Sequence, residues 1–398
     1  MTSHLKRRLA GLLLAAVTTL MALGVARPAA ARDTGEAHGR GQLISAVPLN
    51  TFAHPDDVVT ELTGAGFDPG AVRYGVDTYQ LVYRTVDTDN RPTVASGLLA
   101  LPRNRDRLLR TVSYTHGSEV YRGDAPSMSR GWSQAPAITY ASAGFAAVAP
   151  DYLGLGVSPG PHPWMHKPSE VTAALDMLRA ARQATAHTGR TLARQVLVTG
   201  FSQGASAATA LGKALQAGAD PWFRLGALAP ISGAYDMRGA ELPALLSGEL
   251  HPKWSAGYTA YLLVAWNRLH HLYDRPDEVF RTPSVADLFD GEHRGEEVFA
   301  GLPDSVDALL TPYGRALLEH PSERFAAALD VSDPTCSWTP RVPVRLYVAA
   351  DDQATPLNTT HCEAQLGGPT IVQLGDVGHI GSNITGTAAV IRWFSGLR

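Results

Sequence analysis

The chain has 398 residues, 45% hydrophobic and 18% charged, with a formal charge of −3. That is the composition of a soluble globular protein, long enough for two or three average domains or one large α/β domain with an inserted subdomain. Its mild acidity leaves no electrostatic footprint for nucleic acid or an anionic membrane.

At the amino end, Lys6, Arg7 and Arg8 precede an apolar stretch from Leu9 to Ala26, followed by small residues at Ala29 and Ala31. This predicts a secretory signal peptide over 1–31, cut near Ala31, and hence an exported protein. An uncleaved anchor is disfavoured by Thr18, Thr19 and Gly24 within the apolar stretch. Residues 1–31 hold four basic residues and no acidic one, so their removal takes the formal charge to −7. The polar, glycine-containing stretch 32–41 reads as a flexible leader. No later stretch is long and apolar enough to span a bilayer, so no stable membrane anchor is expected. Only Cys336 and Cys362 are present, and in an exported protein two cysteines most simply form one disulfide.

From residue 42 to 234 the chain reads as the first part of an α/β core. "TYQLVYRTVDTDNRPTVASGLLALP" predicts a hairpin: Tyr79, Leu81 and Tyr83 alternate with other residues, a polar turn follows, and Val94 to Leu101 forms the second strand. "TVSYTHG" and "GFAAVAPDYLGLG" are short apolar runs of the kind buried on both faces of a parallel sheet, with a helical stretch near 134–143 between them. A helix starts at Ser169, with Val171, Ala174, Leu175 and Leu178 on one face. The strand "QVLVTG", a turn, a small-residue helix to about Leu215 and the strand "LGALAPIS" complete this part. Strands alternating with helices imply a mostly parallel central sheet with helices on both faces.

That rhythm lapses over 235–340, a helical region with proline breaks whose most apolar part is "YTAYLLVAWNRLHHLY". An insertion this long and rich in Tyr, Trp and Leu predicts a helical cap. Trp254, Tyr258, Tyr261, Leu262 and Trp266 are candidates to line a pocket beneath it, although such stripes are more often plain core. The α/β rhythm resumes over 341–398 with strand "VPVRLYVAA", a helix near 359–365, strand "TIVQL" and a last helix near 383–394.

Within this frame, Gly200-Phe201-Ser202-Gln203-Gly204 is a G-x-S-x-G pentapeptide between strand and helix. A sharp turn there strains the serine, so its neighbours two before and two after must be small. A serine hydroxyl is a weak nucleophile and needs a histidine base oriented by a carboxylate. "VRLYVAADDQATP" offers Asp351 and Asp352 after a late strand, with Asp376 a distant third, and "IVQLGDVGHIGS" offers His379 after the last strand, with His361 the runner-up. The Gln203 N–H, at the start of the helix, is one candidate oxyanion donor. His270 and His271 diverge on a helix, and His293 with Glu296 lacks the rest of a zinc signature, so neither metal nor cofactor is expected.

These segments resemble the α/β-hydrolase superfamily. The spacing from Asp352 to Pro356 is similar to the acid loop of that fold, which favours Asp352 over Asp351, and Gly378-His379 resembles its histidine loop. His116-Gly117-Ser118 resembles the HG oxyanion loop of esterases and lipases, which places the second donor at the N–H of Ser118 or Gly117. "PDYLGLG", then "HPW", a helix with "LDMLRAAR" and two cysteines bracketing the acid strand resemble the secretory lipase family of bacteria and fungi. Phe201 stands where many members have tyrosine. The resemblance implies a secreted esterase or lipase with a helical cap and a Ser/Asp/His triad, without metal; a monomer acting on a small-molecule or lipid ester is expected. A serine peptidase, for which Glu292, Glu296 and Glu297 offer acids to hold an amino terminus, and a non-catalytic binding protein on the same fold are the alternatives.

Overall fold

Residues 39–397 are described by a computed structural model, so the stretch read as a signal peptide lies outside the described residues. Nine strands form one sheet: β1 (Leu43–Phe52), β2 (Val76–Val86), β3 (Pro92–Pro102), β4 (Leu108–Thr115), β5 (Ala146–Pro150), β6 (Thr191–Phe201), β7 (Arg224–Ile231), β8 (Arg345–Val348) and β9 (Thr370–Gln373). Their order is β1-β2-β3-β5-β4-β6-β7-β8-β9. The first four in that order pair antiparallel, and β5, β4, β6, β7, β8 and β9 pair in parallel.

Period-two burial explains the layers. In β3, Leu98 and Ala100 enter one apolar layer and Leu99 and Leu101 the other; in β6, Leu197 and the pair Val196 and Val198 divide the same way. Helix α1 (Pro55–Gly64) and α2 (Ala135–Ser142) cover the first face, while α3 (Lys167–His187) and α4 (Gln203–Gln216) cover the second. Between Ile231 and Arg345 lie α5 (Leu242–Ser247), α6 (Pro252–His270), α7 (Pro276–Val279), α8 (Gly295–Gly301), α9 (Val306–Leu309), α10 (Pro312–Glu319) and α11 (Glu323–Ser332). This inserted cap has its own apolar cluster around Trp266, Leu309 and Phe325. The prolines read as breaks stand at the first or second position of α5, α6, α7 and α10, where a missing N–H costs nothing. Helices α12 (Pro356–Leu366) and α13 (Gly378–Gly396) close the chain, and Val390, Ile391 and Phe394 of α13 join the first face. The result is an α/β-hydrolase fold with a helical cap.

Two elements carry no clear pattern in the sequence. Strand β1 lies at the sheet edge and contains Pro48, with a bulge between Pro48 and Asn50; only an edge tolerates that missing donor. Helix α1 follows it. Gly41, at the end of the stretch read as leader, donates its N–H to the Arg84 carbonyl at 2.8 Å. No helix among the described residues is long and apolar enough to cross a membrane.

Cys336 and Cys362 are disulfide-bonded and buried, tying the segment before β8 to α12 across 26 residues. In the chain-entropy account, closing a loop of that length stabilises by about 3 to 4 kcal/mol. Reductant is therefore expected to lower the urea midpoint, and thiol titration of unreduced protein to find none; two titratable thiols would contradict the bridge.

Candidate active site

After β4 the chain adds β5 on one side of it and β6 on the other, so a crevice opens at the carboxyl end of β4. His116, Gly117 and Ser118 leave β4 there, beside the turn from β6 into α4. Ser202 occupies that turn with φ +57° and ψ −120°, a strained conformation for any residue with a side chain. Close packing enforces the small neighbours. A Cβ on Gly204 would run into the carbonyl oxygens of Thr115 and His116, and one on Gly200 into Thr115 and the Gly204 carbonyl. Gly204→Ala is therefore expected to cost about 3 kcal/mol or more, because the obstacle is fixed backbone; a melting midpoint equal to wild type would contradict this.

The structure brings Ser202, His379 and Asp352 into one hydrogen-bonded chain. His379 Nδ1 lies 2.5 Å from Asp352 Oδ1, and His379 Nε2 lies 2.8 Å from Ser202 Oγ. A carboxylate only accepts, so Nδ1–H donates to Asp352, which leaves Nε2 to accept from the Ser202 hydroxyl. Asp352 is fixed in turn by the Ala354 N–H at 3.0 Å, and its side chain is fully buried. Asp351 points elsewhere: it is exposed and accepts from the Gly378 N–H at 2.8 Å, which ties the acid loop to the histidine. His361, within α12, is hydrogen-bonded to Asp236 at 2.8 Å, and Asp376 is exposed. His379 lies in the first turn of α13 rather than in a loop, since the helix begins at Gly378 within a glycine-rich stretch that reads as coil. Phe201 packs against its ring, with centroids 4.8 Å apart.

The candidate backbone donors belong to residues that line the cavities at Ser202 and His379. Gln203 is the first residue of α4, and neither its N–H nor those of Gly117 and Ser118 has a protein acceptor among the described residues. The Ser118 hydroxyl accepts from Trp164 Nε1 at 2.7 Å, which pins the loop. His116 lies between the Gly117 carbonyl at 2.7 Å and the Asp151 carbonyl at 3.3 Å, and burial pushes it down to about 4, so it is neutral near pH 7.

Behind the serine is a buried polar chain that the sequence reading missed. The Gln203 side-chain amide donates to Glu170 Oε1 at 2.8 Å and to His162 Nε2 at 2.9 Å, and Glu170 pairs with Lys167 at 2.8 Å. All four side chains are buried. Burial holds His162 near 4, and its other nitrogen reaches the Leu153 carbonyl at 2.7 Å. Only the "HPW" succession hinted at this, through His162 and Trp164.

Above Ser202 a cavity of about 420 Å³ lies between core and cap, lined by Phe201, Trp254, Tyr258, Tyr261 and Phe289. The aromatic candidates thus divide: Trp254, Tyr258 and Tyr261 line it, Leu262 lines a smaller adjoining cavity, and Trp266 is core, donating to the Trp164 carbonyl at 2.9 Å. Of the cap acids, Glu292 pairs with Arg122 and Glu297 caps the Arg294 N–H, leaving Glu296 at the cavity's exposed rim. No cluster of three or more potential metal ligands occurs among the described residues.

No protein-family model and no curated protein sequence matches the chain. Solved structures do. A Legionella pneumophila protein described only as a hydrolase has a TM-score of 0.80 at 22% identity, covering 89% of this chain and 97% of its own. The rice cell wall degrading esterase LipA from Xanthomonas oryzae has a TM-score of 0.77 at 24% identity, covering 90% and 98%. Candida antarctica lipase A in its closed state has a TM-score of 0.64 at 18% identity, covering 91% and 83%. At these identities the likeness carries the fold: the chain has the α/β-hydrolase fold of proteins that include an esterase and a lipase.

Proposed function

We propose that the protein is a secreted serine hydrolase of carboxylic esters, of the kind the secretory lipase family comprises. The observation that supports it most is the chain from Asp352 through His379 to Ser202, ending at an apolar cavity. In this reading His379 Nε2 takes the Ser202 proton as Oγ attacks the ester carbonyl. Asp352 holds the tautomer and offsets the imidazolium charge. The N–H groups of Gln203 and Ser118, or Gly117, receive the oxyanion, aided by the dipole at the start of α4. His379 then returns the proton to the leaving alcohol, and water releases the acid by the same steps.

An aminopeptidase reading requires an ionised carboxylate in the main cavity to hold an ammonium group; of the two carboxyls that line it, Glu296 stands at the exposed rim and burial pushes Glu119 up, toward the neutral form. Activity on 4-nitrophenyl esters at least tenfold above that on aminoacyl anilides, scaled to their uncatalysed rates, is the expected outcome. Equal or reversed preference would refute the ester reading. Export carries its own test: amino-terminal sequencing of secreted protein is expected to begin near Arg32, and a chain beginning at Met1 would refute it.

A further inference from the structure

Two cavities meet at Ser202 and His379. The second is narrow, about 20 Å³, walled by Met165, Met237, Leu245 and Leu262. That is room for one or two water-sized groups. Its apolar wall is interrupted by the carboxyl of Glu241, at the base of the cap.

Glu241 is only 4% exposed. Its Oε2 accepts from the Asn358 amide at 2.6 Å and from the Thr355 N–H at 3.2 Å. Its Oε1 has no hydrogen-bond partner among the described residues. A carboxyl kept merely to brace Asn358 and Thr355 would need one acceptor oxygen, which an amide or a hydroxyl also supplies. The other oxygen is not sealed from solvent, so it is open to what enters the cavity that Glu241 lines. Burial pushes this carboxyl up to about 8, so near neutral pH it is mostly protonated. With two donors already on Oε2, the proton belongs on Oε1, giving an O–H directed at the narrow cavity.

We propose that the narrow cavity is a hydroxyl-binding subsite, taking a short hydroxyl-bearing arm of the ester against Glu241 while the apolar part fills the larger cavity. The proposal rests on Ser202 as nucleophile. The hydroxyl stands one or two carbons beyond the ester group, either on the acyl side, as in a 2-hydroxyacyl ester, or on the alcohol side, as in a 2-hydroxyethyl ester.

Both sources are tested with the full protein. The acyl arm compares 4-nitrophenyl acetate with 4-nitrophenyl glycolate; the alcohol arm compares ethyl with 2-hydroxyethyl butyrate. Each kcat/KM is divided by the hydroxide-catalysed rate, which removes intrinsic reactivity. The expected result is a preference of about tenfold for the hydroxylated member in one arm. Glu241→Gln is expected to keep it, because the amide oxygen takes the Asn358 and Thr355 donors and its NH₂ faces the cavity. Glu241→Leu is expected to bring the ratio to about one. Should that variant not fold, Met237→Phe, which fills the same cavity, is expected to do so instead. Wild-type ratios of one in both arms would overturn the proposal, as would a ratio unchanged in folded Glu241→Leu and in Met237→Phe. Absence of all ester turnover, with Ser202 unreactive toward a phosphonate, would instead overturn the ester reading beneath it.

Discussion

Replacing Ser202 with alanine is expected to lower kcat on a chromogenic ester by about 10⁶, to the level left by binding and the oxyanion donors alone. The size follows from geometry. Ser202 Oγ lies 2.8 Å from His379 Nε2, and without it the base has no hydroxyl nucleophile to deprotonate. The strained backbone at φ +57° stays occupied by a residue of nearly equal volume, and among the described residues the hydroxyl makes no hydrogen bond besides the one it donates to His379. The melting midpoint should therefore stay within about 2 °C of wild type. Circular dichroism checks that half of the prediction. A variant retaining a tenth of wild-type turnover would exclude Ser202 as nucleophile.

Asp352→Asn is expected to cost about 10⁴ in kcat, with Asp351→Asn close to wild type. Either orientation of the new amide is harmful. With its nitrogen at the Oδ1 position it confronts the Ala354 N–H and forces a donor against His379 Nδ1, which turns the ring into the tautomer that cannot accept from Ser202. With its nitrogen at Oδ2 the tautomer survives, but no charge opposes the imidazolium that forms during attack. Among the described residues Asp351 accepts only the Gly378 N–H, from an exposed position, and an asparagine oxygen replaces it. Steady-state kinetics on both variants separate the adjacent aspartates; equal losses would contradict the assignment of Asp352.

Much of this arrangement was legible in the sequence because it is local. A strand ending in Gly200, a turn at Ser202 and a small-residue helix each follow from a few neighbouring residues, and the short apolar runs of β4 and β5 mark strands buried on both faces. Asp352 and His379, the candidate acid and base, were legible as residues following the late strands β8 and β9. What could not be read was set by distant packing. Pro48 hid β1, which forms only because an edge needs no donor on one side. Gly378 and Gly381 hid the start of α13. The chain Lys167, Glu170, Gln203 and His162 joins the start of α3, the loop before it and the first turn of α4, so no single segment shows it. Glu241 gains its setting only once the cap folds against the acid loop, where Thr355 and Asn358 meet it. Nor did the aromatic stripe of α6 show which side faces the cavity; the structure turns Trp254, Tyr258 and Tyr261 toward it and Trp266 away.

The central claim is that Ser202 is an activated nucleophile. It is tested most directly by treating the folded protein with a fluorophosphonate and locating the adduct by mass spectrometry. The account predicts one phosphonyl group per chain on Ser202, with ester turnover lost in proportion, and no adduct in Ser202→Ala or in acid-unfolded protein. An unlabelled Ser202 in a protein that still hydrolyses esters, or inhibition tracking an adduct elsewhere, would contradict it.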